Sequence, residues 1–173
     1  MDSAEYERKI AARFATFDQD GNGYIDREDF SVAAQAVLAE FGTTARSDHG
    51  QAVLGGAEFF WQGLAGIADV DGDQRVTREE FVTGAVKRLR DNPQGFAEIA
   101  RPFLHAVIAV AWDGVGAGPT REATARVLRV LGSTPELAET VARHLDADGD
   151  GRISEEEILT AFAAYCGVAL PDA

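Results

Sequence analysis

Three twelve-residue stretches of this chain place oxygen-bearing side chains at the same spacing. They read DQDGNGYIDRED from Asp18, DVDGDQRVTREE from Asp69 and DADGDGRISEEE from Asp146. Each offers such a side chain at positions 1, 3, 5, 9 and 12, and an apolar β-branched residue at position 8: Ile25, Val76 and Ile153. A hard dication needs this pattern. Ca²⁺ takes about six to eight oxygens at roughly 2.3–2.6 Å, so one short loop must wrap around it. Alternate positions supply the early ligands, the position 7 carbonyl adds another, and position 12 closes the shell from the following helix. One such window alone could be an acidic solvated turn; three in frame are specific for metal.

The three windows differ. In the last, Asp146, Asp148, Asp150, Ser154 and Glu157 fit fully, with the Arg152 carbonyl at position 7 and Gly151 at the sharp turn of position 6. Ser154 and Glu157 also spell an S-x-x-E capping box, so ligand shell and helix start coincide. The middle window offers Asp69, Asp71, Asp73, Thr77 and Glu80 with the Arg75 carbonyl, but has Gln74 at position 6. A non-glycine residue at positive φ costs about 1 kcal/mol, so binding there is expected with some weakening. The first offers Asp18, Asp20, Asn22, Asp26 and Asp29 with the Tyr24 carbonyl. Its position 12 is aspartate, one methylene short of glutamate, which suits the tighter octahedral shell of Mg²⁺ as well as Ca²⁺.

The totals agree. The net charge is −13 and the twelve candidate ligand carboxylates account for all but one unit of it. An acidic chain lacks the cationic surface that nucleic acid or anionic membranes require. The N-terminus carries no secretory signal pattern and no apolar run is long enough to span a bilayer. Cys166 is the only cysteine, so no intramolecular disulfide forms, and the expected compartment is the cytoplasm. Arginine in excess of lysine, with abundant alanine, points to a bacterial source.

The elements that hold these windows are helices. Residues 4–17 bring Ile10, Phe14 and Phe17 to one face; 27–41 bring Phe30, Val37, Leu38 and Phe41. Gly42 to Gly50 is a polar break. Residues 51–68 enter the second window with Leu54, Phe59, Phe60, Trp61 and Leu64, and 78–90 leave it with Phe81, Val82, Val86 and Leu89. Asn92-Pro93 marks a boundary between halves, 1–92 and 93–173. Residues 94–111 are helical, with a restart or kink at Pro102. Helices then follow over 120–131, from Thr134-Pro135, and from about 154 to 166, ending at Gly167. Three consecutive aromatics, Phe59 to Trp61, cannot all face one core, so at least one meets the other half. His49, His105 and His144 lack ligand spacing.

This order leaves a gap where a fourth loop belongs. The stretch AVIAVAWDGVGAGPTREA, residues 106–123, has Gly114, Gly116 and Gly118 at every second position. A dinucleotide site would need a full G-x-G-x-x-G and a series of strands alternating with helices. Position 119 is proline, no such series exists, and no catalytic dyad or triad is visible, so an enzyme is not expected. With Thr120 matched to Thr77 and Ser154, the window runs 112–123 and places Trp112, Gly114, Gly116 and Ala123 at positions 1, 3, 5 and 12. A start at Asp113 leaves Val115, Ala117 and Thr124 at positions 3, 5 and 12. Either register is dead for metal. Pro119 falls at position 8 or 7; at 8, its missing N–H removes one bond from any pairing with Ile153.

The windows resemble EF-hands. Four units, with a long first interval and a compact last pair in a small acidic chain, are similar to calerythrin and the sarcoplasmic calcium-binding proteins over about residues 4–166. The resemblance implies an all-α fold: four helix-loop-helix units in two pairs forming one compact body, with short β pairing between loops. The pairs would hold loops 18–29 and 69–80, then 112–123 and 146–157. It also implies a calcium buffer or signal modulator, often with one disabled loop; the three windows give about three Ca²⁺ ions, and a monomer is expected. The alternative is a sensor acting on one regulated protein partner. Met1 is the only methionine, so a flexible Met-rich target groove is not available.

Overall fold

In a computed structural model, which describes residues 3–86 and 91–165, eight helical segments alternate with loops at the four expected places. They are α1 (Ser3–Phe17), α2 (Arg27–Glu40), α3 (Asp48–Ala68), α4 (Arg78–Glu80, continued as a π-helical Phe81–Val86), α5 (Pro93–Ala111), α6 (Arg121–Val130), α7 (Pro135–Leu145) and α8 (Glu155–Tyr165). We call the intervening windows loops 1 to 4: 18–29, 69–80, 112–123 and 146–157. Leu89, Cys166 and Gly167, named above, lie outside the described residues.

Helix starts follow capping chemistry. Asp26, Thr77, Thr120 and Thr134 each sit at an N-cap and accept an N–H from the first turn. α3 starts three residues before the expected 51, because Ser47 caps it through the Gly50 N–H at 3.0 Å. α5 runs unbroken through Pro102 as one helix. The turn after loop 2 widens to a π form, which sequence periodicity does not foretell.

The core is aromatic and spans both halves. Phe17 packs against Phe30, Phe60 and Phe81 with ring centroids 5.8–6.2 Å apart. Phe30 meets Phe60 at 5.1 Å and Trp61 at 6.0 Å. Each such pair adds about 0.5–1.5 kcal/mol beyond burial. Of the three consecutive aromatics, Phe60 and Trp61 are buried and Phe59 faces out. Phe60 reaches Phe103 of α5, 6.4 Å away, which joins α3 to α5. The halves approach closely there: a Cβ on Gly56 would stand 2.7 Å from the Phe103 Cα. Arg126 adds a polar tie, donating to the Glu40 carboxylate (2.8 Å) and carbonyl (3.0 Å) while lying over the Phe41 ring. Around α6 and α7 the described core is thin: Ala125, Ala138 and Ala142, with Leu128 against them.

Candidate metal centres

Each intact loop leaves a helix at position 1 and enters the next at position 9. In between, its own amides fold it around its acids. Asp18 accepts the Asn22 and Gly23 N–H groups at 3.0 and 2.9 Å. Asp69 accepts those of Gly72 and Gln74 at 2.8 and 3.0 Å. Position 5 accepts the N–H of position 7 in all three: Tyr24 to Asn22, Arg75 to Asp73, Arg152 to Asp150, at 2.7–2.9 Å. Position 6 stands at positive φ throughout: Gly23 at 90°, Gln74 at 65° and Gly151 at 84°. Gln74 is the only non-glycine residue with positive φ among the described residues. Replacing Gln74 with glycine should therefore stabilise the protein by up to about 0.6 kcal/mol, strain relieved less the added freedom of the unfolded chain. Urea unfolding in excess Ca²⁺ checks this; a loss of stability would contradict it.

Position 12 closes each loop. Glu157 accepts the Ala147 N–H on one oxygen (2.9 Å) and the Ser154 N–H and hydroxyl on the other (2.8 and 2.9 Å). Glu80 does the same with Val70 and Thr77. The Thr77 N–H leads the bonds that hold the Glu80 carboxyl below the ordinary glutamate range. Burial pushes Glu157 up, but the bonds from Ser154, Ala147 and Asp148 outweigh it, and its carboxyl also lies low. Asp29 behaves otherwise. It is 1% exposed, and burial raises its carboxyl above the ordinary range despite N–H bonds from Asp26 (2.8 Å) and Asp20 (3.2 Å). Being shorter, it reaches back to position 3, where the glutamates reach position 2 as well.

Carboxylate oxygens converge in three places: Asp18, Asp20 and Asp29; Asp69, Asp71 and Asp73; and Asp146, Asp148 and Glu157. Within each group the oxygens lie within 4.8 Å of one another. Like charges so close repel unless a cation lies between them. Asp146 is 7% exposed, and its Oδ1 is buried with no hydrogen-bond partner. An orphaned buried carboxylate oxygen is costly, and a hard cation satisfies it. The donor set therefore fits Ca²⁺, which when bound would supply charge compensation and cross-linking of the loop. Asp26, Asn22, Asp150, Thr77 and Ser154 line the same loops. Asp26, Thr77 and Ser154 also hold the first turns of α2, α4 and α8.

Loop 3 is built differently. Trp112 is the C-cap of α5, as Asp69 and Asp146 are for their helices, and Thr120 caps α6. This selects the register that starts at Trp112. Positive φ falls on Gly114 and Gly116, positions 3 and 5, whereas in the intact loops it falls on positions 4 and 6. The Trp112 indole N–H closes the loop on the Val115 carbonyl at 2.8 Å.

The loops pair in twos. Ile25 and Val76 exchange both backbone bonds, at 3.0 and 2.8 Å. In the second pair Ile153 donates to the Pro119 carbonyl at 2.9 Å, and Pro119 has no N–H to return. Side chains compensate. Arg152 reaches Asp113 (2.6 Å) and the Gly118 carbonyl (3.3 Å), and its bond leads the interactions that lower the Asp113 carboxyl. Arg121 reaches Asp146 at 2.9 Å. Sequence reasoning missed both arginine links. Position 10 gave no clue, because loops 1 and 2 carry arginine there too, at Arg27 and Arg78. His105 pairs with Glu155, and His144 lies against the Thr140 carbonyl, both 2.7 Å away and apart from any ligand set.

Helix-loop-helix units with twelve-residue acidic loops, bridged in pairs at position 8, define a calcium-binding protein of the EF-hand class, and this chain belongs to it. The EF-hand domain pair family matches residues 7–86, and a single EF hand matches 143–163. The chain is 25% identical over 166 residues to calerythrin of Saccharopolyspora erythraea, covering 95% of this chain and 94% of the relative. It is 64% identical to a Streptomyces coelicolor calcium-binding protein solved in connection with prokaryotic calcium-mediated regulation, with a TM-score of 0.91 over 95% of this chain and 99% of that one. The amphioxus sarcoplasmic calcium-binding protein shares the fold at 18% identity, with a TM-score of 0.66 over 96% and 91% of the two chains. These relatives are calcium-binding proteins, a class without catalysis. The Saccharopolyspora and Streptomyces relatives are both bacterial, the source that the arginine-rich composition indicates. No helix among the described residues is long and apolar enough to cross a membrane.

Proposed function

We propose that the chain binds three Ca²⁺ ions and serves as a cytoplasmic, monomeric calcium buffer or signal modulator. The ligands would be Asp18, Asp20, Asn22, Asp26, Asp29 and the Tyr24 carbonyl; Asp69, Asp71, Asp73, Thr77, Glu80 and the Arg75 carbonyl; and Asp146, Asp148, Asp150, Ser154, Glu157 and the Arg152 carbonyl. The observation that carries this is the triple convergence of carboxylates, with the Asp146 oxygen left unpaired. Loop 3 binds nothing and serves as the backbone partner of loop 4. The two pairs divide at about residue 92. The acidic charge argues against nucleic acid and anionic membranes as partners.

A sensor acting on one protein partner is the second reading. The calcium-mediated regulation associated with the Streptomyces relative favours it, as does Phe59, half exposed on α3. Small-angle scattering and an apolar-surface dye, without and with Ca²⁺, separate the two. Compaction without new dye binding supports the buffer. A large rise in dye binding supports the sensor.

Loop 1 is proposed to take Mg²⁺ as well as Ca²⁺, since its buried aspartate closes a tighter shell. Millimolar Mg²⁺ should then raise the Ca²⁺ half-saturation of loop 1 several-fold and leave loop 4 within about twofold. Amide signals of Gly23 and Gly151 follow the two loops separately. Equal responses at both loops, or none at loop 1, would contradict this.

A further inference from the structure

We propose that Arg121 is a tethered counter-ion that lowers the calcium affinity of loop 4: Ca²⁺ taking the free Oδ1 of Asp146 must bind against the guanidinium held on Oδ2 of the same carboxylate. The disabled loop would in this way set the affinity of its intact partner. The inference rests on the reading of loop 4 as a Ca²⁺ site.

The position 1 aspartates differ in how they are held. Asp18 and Asp69 each spend both oxygens on N–H groups of their own loop. Asp146 does not. Its Oδ2 accepts the Gly151 N–H at 3.1 Å and is shared with Arg121 Nε at 2.9 Å, while its Oδ1 has no partner. The Asp146 side chain is 1% exposed and that of Arg121 is 48% exposed. The carboxylate is thus desolvated and its counter-ion has a free path to solvent. A guanidinium is always charged, and it can leave Asp146 without any backbone movement. Once a dication is bound to the same carboxylate, the two cations repel each other.

Arg121 is brought there by loop 3. It is the first residue of α6, directly after the Thr120 cap. The Ile153–Pro119 backbone bond and the Arg152–Asp113 pair hold that helix start against loop 4. Loops 1 and 2 also carry arginine at this position 10, Arg27 and Arg78, but loop 3 does so without acids at positions 1, 3, 5 and 12.

The test is a Ca²⁺ titration of the full chain followed by the Gly151 amide, whose N–H bonds the oxygen that Arg121 holds. Wild type, Arg121→Ala and Arg121→Lys are compared at low and at high salt. Arg121→Ala should lower the half-saturating Ca²⁺ about tenfold at low salt, with a smaller gain at high salt. Arg121→Lys, which keeps the charge, should stay nearer to wild type than to the alanine variant. The Arg121 Nε–H signal should also shift as Ca²⁺ saturates loop 4. An unchanged or weaker affinity in Arg121→Ala would overturn the inference, because an arginine that merely organises Asp146 would leave a poorer site when removed. If Gly151 responds to Ca²⁺ with equal midpoints in wild type and Arg121→Ala, this inference alone fails. If Gly151 responds in neither, the assignment of loop 4 as a calcium site fails with it. Binding seen only after Arg121 is removed would support the inference in its strongest form.

Discussion

Replacing Glu157 with glutamine should abolish Ca²⁺ binding at loop 4 in the micromolar to sub-millimolar range. The carboxylate reaches both ends of the loop: one oxygen meets Ala147 and the other meets Ser154. It sits where the shell must close around the ion, and it is the acid that α8 contributes to the convergent group. Glutamine keeps the shape but removes one negative charge and one acceptor. A charge interaction close to a dication in a partly buried site is worth several kcal/mol before desolvation is deducted. A net loss of about 3 kcal/mol corresponds to a loss of affinity of roughly a hundredfold or more. Loops 1 and 2 lie in the other pair and should keep their ions, so the stoichiometry falls by one. Circular dichroism before Ca²⁺ addition separates lost ligation from lost folding. Retained stoichiometry with unchanged affinity would mean that Glu157 is no ligand.

Gly118→Ala should be among the most damaging single methyl groups added to the described residues. The new Cβ would collide with the Ile153 carbonyl, which belongs to a residue with no exposure. Overpacking of a buried contact costs about 1–3 kcal/mol, and parting the loops also strains the single Ile153–Pro119 backbone bond, worth about 1 kcal/mol. A loss of about 3 kcal/mol is expected in urea unfolding, with a weaker loop 4. Gly114→Ala is the control. Gly114 has φ +82° but open space around its Cβ position, so only the conformational cost of about 1 kcal/mol applies. If the two variants lose equal stability, the tight pairing of loop 3 with loop 4 is wrong.

The acidic windows, their order and the lack of ligand side chains in loop 3 were legible because ligand chemistry fixes residue type at fixed spacing. The strain at Gln74 was legible for the same reason: position 6 needs positive φ, and the residue there is not glycine. The register of loop 3 was open between Trp112 and Asp113, since no acids remained to anchor it. The caps at Trp112 and Thr120 decide it. The π turn over Phe81–Val86 and the early start of α3 had no periodic signature. The arginine links, Arg121 to Asp146 and Arg152 to Asp113, depend on which loops lie side by side. Long flexible side chains choose partners across that gap, and nothing local in the sequence names them.

The central claim is that three loops bind calcium and the fourth is its structural partner. Calorimetric titration of the chelator-stripped chain with Ca²⁺ addresses it directly. The account predicts three ions per chain, falling to two in Glu157→Gln and staying at three in Asp113→Asn. Four ions would mean that loop 3 is alive, and fewer than two would mean that the acidic windows are not the sites they are taken to be.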